Sequence, residues 1–152
     1  MAKKSIVLII SAFLAFTIDR LTKIYFILNP DASFVVAKKI LLFELHINAG
    51  MVFGFFVNNL VYYILFALIT LILFYLLVDC YRKQEWLLLW CLAFIVIGAF
   101  SNLLDRLNYG GVVDFINVPF WSIFNLADIY IMAAVFIWLI SLIKNGKIHK
   151  KS

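Results

Sequence analysis

Four of the eight acidic residues in this chain sit inside or at the edge of very apolar stretches: Asp19, Asp105, Asp114 and Asp128. A carboxylate in or near a bilayer core costs several kcal/mol unless it is paired or neutralised, so each is a candidate for function. Asp114 and Asp128 are the pair of most chemical interest. Two close carboxylates cannot both ionise easily, so one pKa rises and the pair shares a proton. One can then act as general base on a water, while the other hydrogen-bonds a carbonyl oxygen and protonates a leaving nitrogen. No Ser–His nucleophile arrangement, no His-Glu-x-x-His and no glycine-rich phosphate loop offers another chemistry.

Each residue also has a plainer reading. Asn125-x-x-Asp128 has the form of a capping box, with Asp128 favoured at the positive end of a helix dipole. That does not explain why Asp114 lies in a stretch as apolar as Val112-Val-Asp-Phe-Ile116. Asp19 and Lys23 are spaced as an i,i+4 ion pair. Gly98, Asn102 and Asp105 fall on one face of a helix, where a glycine permits close helix approach. Asp105-Arg106 alternatively marks the point where that helix meets water.

The elements that must position these groups are membrane helices. Of 152 residues, 66% are hydrophobic, and the mean hydropathy is +1.09. Soluble domains are typically about half apolar, so this chain has too little polar surface to be one. The formal charge of +5 does not point to nucleic acid, because the basic residues fall in short segments between apolar runs. Cys80 and Cys91 form no CxxC, and His46 and His149 have no partner at ligand spacing, so neither a disulfide framework nor a metal site is expected.

Four spans are expected, at residues 6–28, 60–78, 86–104 and 124–143, in one membrane-embedded domain over 1–152. The first would extend about 34 Å at 1.5 Å per residue. It lacks an A-x-A pattern and reads as an uncleaved helix. Residues 29–59 and 105–123 form two outer loops. The first is rich in strand formers and reads as a small β element at the membrane surface. The second holds Gly110-Gly111 and Pro119 and reads as a loop. The fold class is therefore an all-α polytopic membrane protein with a small extracytoplasmic β element. Lys3, Lys4, Arg82, Lys83, Lys144, Lys147, Lys150 and Lys151 outnumber the basic residues on the other side. Both termini are thus expected in the cytoplasm, and all four carboxylates near the outer face.

Five blocks then appear in order: Asp19-x-x-Thr22-Lys23, Asn48-Ala-Gly50-Met-Val-Phe53-Gly54, Gly98-x-x-x-Asn102-x-x-Asp105-Arg106, Gly111-Val-Val-Asp114-Phe and Phe124-Asn125-x-Ala127-Asp128. Together they resemble the lipoprotein signal peptidase (signal peptidase II) family over nearly the whole chain. The resemblance implies a bacterial inner-membrane aspartyl endopeptidase that needs no metal; no cofactor and a monomer are expected. Its substrates would be diacylglyceryl-modified prolipoproteins, cut just before the lipid-bearing cysteine, and its inhibitors globomycin-type cyclic peptides. Carried over by motif, Asp114 and Asp128 are the catalytic dyad. Asn48, Asn102, Arg106 and Asn125 match positions that support the dyad or bind substrate. Asp19, Lys23, Gly50, Gly54, Gly98 and Asp105 match structural positions. The first outer loop matches the family's β-cradle, and the second its flexible surface helix.

The chain departs from the family pattern at Ile97, Ser101 and Ile129, where members often carry small residues. These changes touch packing and pocket shape and leave cleavage-site preference open. The competing class is a small proton-coupled membrane carrier, since intramembrane acids also build proton relays. A relay would string acids through the membrane depth, whereas here none falls in the inner half of a span. A scaffold subunit is a third class, and it gives Asp114 no role. The glycines of both outer loops suggest that residues 31–59 and 105–123 move as a lid.

Overall fold

The structure is a computed structural model and describes residues 2–37, 40–49 and 59–148. Four long helices dominate: α1 (Ala2–Leu28), α2 (Asn59–Lys83), α3 (Trp86–Tyr109) and α4 (Leu126–Ile148). All four are long and apolar enough to cross a membrane. Four strands complete the fold: β1 (Ser33–Ala37), β2 (Leu41–Asn48), β3 (Val112–Val118) and β4 (Ser122–Phe124).

The helices run past the expected apolar spans because charged ends continue them. Backbone bonding persists beyond the hydrocarbon boundary, as in α2, where Lys83 pairs with Asp79 at 2.7 Å one turn back. α3 is the central helix and packs against α1, α2 and α4. It approaches α4 closely at Gly98, where a Cβ would fall 2.8 Å from the Ala127 carbonyl oxygen and 2.8 Å from Ile131 Cγ1. Ile131 thus fills the space that the missing side chain leaves. On α1 the buried residues are Leu8, Ala15, Asp19, Lys23 and Phe26. They form one stripe, polar at Asp19 and Lys23, while apolar residues such as Ile9, Phe13 and Leu21 point outward. That inversion of the soluble pattern suits a helix whose surroundings are lipid.

The sheet is antiparallel throughout, in the order β1-β2-β3-β4. Asn48 pairs with Val112 and His46 with Asp114, with an irregularity between Phe43 and His46. Residues 112–116 are all buried, because β3 is an interior strand that also packs on α1 and α3. Phe115 stacks on Phe26 of α1 at 5.1 Å. Leu41, Phe43, Leu45, Phe124 and Leu126 complete that core. A second core at the far end of the bundle joins Leu8, Cys80, Leu89 and Leu92. Cys80 and Cys91 are free and buried.

Residues 105–123 differ from the expected loop and from the surface helix that the resemblance implied. They contain the last turn of α3, then β3 and β4. Gly110 ends α3 in the left-handed conformation, with φ 72°, and donates its N–H to the Arg106 carbonyl at 3.1 Å. Gly111 passes so close to β2 that a Cβ would lie 2.9 Å from the Asn48 carbonyl oxygen. These two glycines serve a helix cap and a close strand approach, and β3 is fixed on two neighbouring strands. The second half of the expected lid is therefore part of the packed sheet. Gly50 and Gly54 lie outside the described residues.

Candidate active site

Asp114 comes from the middle of β3 and Asp128 from the first turn of α4. Asn125, the residue immediately before α4, joins them. Its side-chain amide donates to Asp114 Oδ1 at 2.7 Å, and its side-chain oxygen accepts the Asp128 N–H at 3.0 Å. The Asn125 N–H in turn donates to Asp128 Oδ2 at 3.3 Å. The capping box expected from sequence is thus present in full, and it also sets the direction of the Asp128 carboxylate. Capping and site-building are one arrangement here.

Two further asparagines complete the immediate surroundings. Asn102 on α3 donates to Asp128 Oδ1 at 2.8 Å, and its side-chain oxygen accepts from Asn125 at 3.1 Å. Asn48, the last residue of β2, donates to Asp114 Oδ2 at 3.2 Å. Each carboxylate is therefore held by neutral amide donors. Amides orient a carboxylate without committing it to the ionised form as strongly as a cation would.

Asp114 is only 2% exposed. Burial, followed by the charge of Asp128, pushes its pKa from 3.8 to about 6. The hydrogen bonds from Asn48 and Asn125 and the charge of Lys23 oppose that rise. An aspartate with these properties can hold or release a proton near neutral pH, as acid–base catalysis requires.

Beneath this pair lies a buried ionic cluster. Lys23 is fully enclosed and sits 3.1 Å from Asp19 and 2.7 Å from Asp105. Its third contact is to Asn102 Oδ1 at 2.9 Å. The i,i+4 pair read from sequence is therefore one arm of a larger network. Asp105 is also ion-paired with Arg20. It is buried in the bundle, which decides against the reading in which it marks the helix–water boundary. Ser101 donates its hydroxyl to Asp19 and accepts from Arg20. No buried side-chain polar atom is left without a partner among the described residues.

The structure thus brings together Asn48, Asn102, Asp114, Asn125 and Asp128, with Asp19, Lys23 and Asp105 behind them and Gly98 as the helix contact. Arg106 folds back toward the Asn102 carbonyl at 3.4 Å. Sequence reasoning gave Arg20 and Ser101 no part in the site. Ser101 lies one turn before Asp105 on the buried face of α3, and Arg20 adjoins Asp19. Those placements were the available signals.

The chain has known relatives. A family model described as Signal peptidase (SPase) II matches residues 11–144. A lipoprotein signal peptidase of Clostridium novyi (strain NT) is 33% identical over 138 residues, covering 86% of this chain and 93% of the relative. One from Anaplasma phagocytophilum (strain HZ) is 33% identical over 147 residues, covering 90% and 92%. Among solved structures, a bacterial membrane enzyme determined by the in meso method at 2.3 Å superposes with a TM-score of 0.77. It is 27% identical, and the match covers 92% of this chain and 89% of that one.

Proposed function

The chain belongs to the signal peptidase II family, and from that premise we propose that Asp114 and Asp128 are the acid–base pair of a membrane endopeptidase acting on diacylglyceryl-modified prolipoproteins. The activity is that of an aspartic protease that removes lipoprotein signal peptides. The observation that carries the assignment of residues is Asn125, which holds Asp114 by its side-chain amide and Asp128 by reciprocal caps. A carrier reading draws no support from the relatives, and the acids gather in one cluster where a relay would need a line of them.

The reaction follows from a pair that shares one proton. The ionised carboxylate takes a proton from water as the water oxygen attacks the scissile carbonyl carbon. The protonated carboxyl hydrogen-bonds the developing oxyanion, and its proton passes to the leaving nitrogen as the C–N bond breaks. A coupled pair titrates as a unit, so the two roles belong to the dyad and not to one member. Asn102, Asn125 and Asn48 keep both carboxylates aimed. Arg106 would support the dyad or bind substrate.

We place both termini in the cytoplasm and the dyad at the extracytoplasmic face of the cell (inner) membrane. The Lys and Arg distribution supports that orientation. The start of α1 meets the turn between α2 and α3, where Lys4 lies 5.5 Å over the Trp86 ring, so these two basic segments share one side. A signal peptide crossing as a helix would then present its cleavage site at the dyad, with the acyl chains left in lipid. The 1–152 domain would act as a monomer. A globomycin-type cyclic peptide would compete for the same groups.

The test is proteolysis of matched synthetic prolipoproteins by the purified protein in lipid nanodiscs. Cleavage before the cysteine is expected when it carries diacylglyceryl, with little when it does not. Equal cleavage of both forms, or cleavage elsewhere, would remove the lipid-specific reading.

A further inference from the structure

The buried cluster is related to the dyad by a symmetry of roles. Asp19 Oδ1 accepts the backbone N–H of Ala127 at 2.9 Å, the residue just before Asp128. Asp105 Oδ2 accepts the backbone N–H of Val113 at 3.2 Å, the residue just before Asp114. The same two acids are the ion-pair partners of Lys23. The third hydrogen of the ammonium goes to Asn102 Oδ1, which leaves the Asn102 amide to face Asp128. An ammonium has three donors, and here all three are used.

We infer that Lys23 is a positioning residue that sets the spacing of the two aspartates, clamping β3 and the α4 N-terminus through Asp105 and Asp19. This rests on the dyad assignment above and goes beyond a structural role for Lys23. The clamp is rigid because it is dry. Lys23, Asp19 and Asp105 are at most 1% exposed, and a buried ion pair missing one partner is strongly unfavourable. Arg20 balances the second negative charge, and Ser101 fills the remaining acceptor capacity of Asp19. Ser101 thus braces Asp19 from α3 with its hydroxyl.

The clamp is tested by comparing K23M, D105N and the charge-balanced K23M/D105N with wild type on a diacylglyceryl prolipoprotein peptide. A loss of alignment near one ångström costs about 100-fold in rate. The expected result is a loss of that order in kcat for K23M, with KM little changed. The pH profile distinguishes positioning from simple damage. The titratable and charged groups on the elements packed around the dyad include Asp19, Arg20 and Lys23 on α1, Asp105 and Arg106 on α3, and His46 opposite Asp114 on β2. Removing Lys23 takes away a charge that favours ionised Asp114, so the kcat profile should move to higher pH. D105N removes a negative charge and should move it to lower pH. Where K23M does not fold, K23M/D105N keeps the net charge of the cluster, with Asp19 and Arg20 as its remaining charges, and its kcat should still fall while its profile stays near that of wild type. Folded K23M, or in its absence K23M/D105N, with wild-type kcat would overturn the clamp. So would D105N and K23M profiles moving in the same direction. D114N runs alongside: activity in D114N would sink the dyad assignment itself, whereas an inactive D114N with unaffected clamp variants sinks only the clamp.

Discussion

Asn125 donates to Asp114 Oδ1 at 2.7 Å, and it is fully buried while doing so. A hydrogen bond to a charged group is worth roughly 1.5–3 kcal/mol. N125D replaces the donating amide with a third carboxylate. It should lower kcat by about 10- to 100-fold and raise the pH at which activity appears. Steady-state rates across pH check this, and an N125D enzyme with an unchanged profile would separate Asn125 from the site.

Asp114 also makes stability depend on pH. Its pKa rises from 3.8 to about 6 in the folded protein, so between those values the folded state holds a proton that the unfolded state has released. Stability therefore falls as pH rises through that window, and the cost is fully present above it. D114N removes the buried charge. It should be more stable than wild type by about 1–3 kcal/mol near neutral pH, and the difference should vanish below the ordinary carboxylate range. Thermal midpoints of both proteins at several pH values test the sign.

At Gly98, a methyl group would meet the Ala127 carbonyl oxygen at 2.8 Å and Ile131 Cγ1 at the same distance. The backbone oxygen cannot swing away, so G98A must part α3 from α4. Overpacking of this kind costs about 1–3 kcal/mol. G98A should lose thermal stability and should lose activity disproportionately, because the Asn102–Asp128 bond spans that same contact. Unchanged stability and turnover would mean that the two helices tolerate a wider spacing.

Much of this site was legible in the sequence because its polar residues stand out against apolar surroundings. Asn102 and Asp105 could be placed on the face of Gly98 by helical period alone. The state of Asp105 could not. Whether it met water or the bundle depended on Lys23 and Arg20, which reach it from a different helix. Val112–Val118 was misjudged for a different reason. Gly110-Gly111 and Pro119 carry strong turn signals, and they obscured a β-branched run between them that pairs with a strand more than sixty residues earlier. Pairing partners so distant leave no local period to read. Asn125-x-x-Asp128 was legible twice, as a cap and as a candidate site; the cap is present, and the same asparagine reaches Asp114.

Orientation gives an independent prediction. Cysteine introduced near the C-terminus, in a background with Cys80 and Cys91 replaced, should react with impermeant thiol reagents only after the cells are opened. Cysteine at Asp31, an exposed turn position, should react in intact cells. The reverse pattern would place the proposed dyad on the cytoplasmic side and invert the substrate's path.

The most direct measurement concerns the two aspartates themselves. Asp114→Asn and Asp128→Asn change one atom each and leave side-chain volume nearly constant. Each should abolish cleavage of a diacylglyceryl prolipoprotein in a protein that remains folded, and the double variant should be no worse than either single one, because the pair acts as a unit. Asp31→Asn should be close to wild type. Substantial activity in either folded dyad variant would contradict the account.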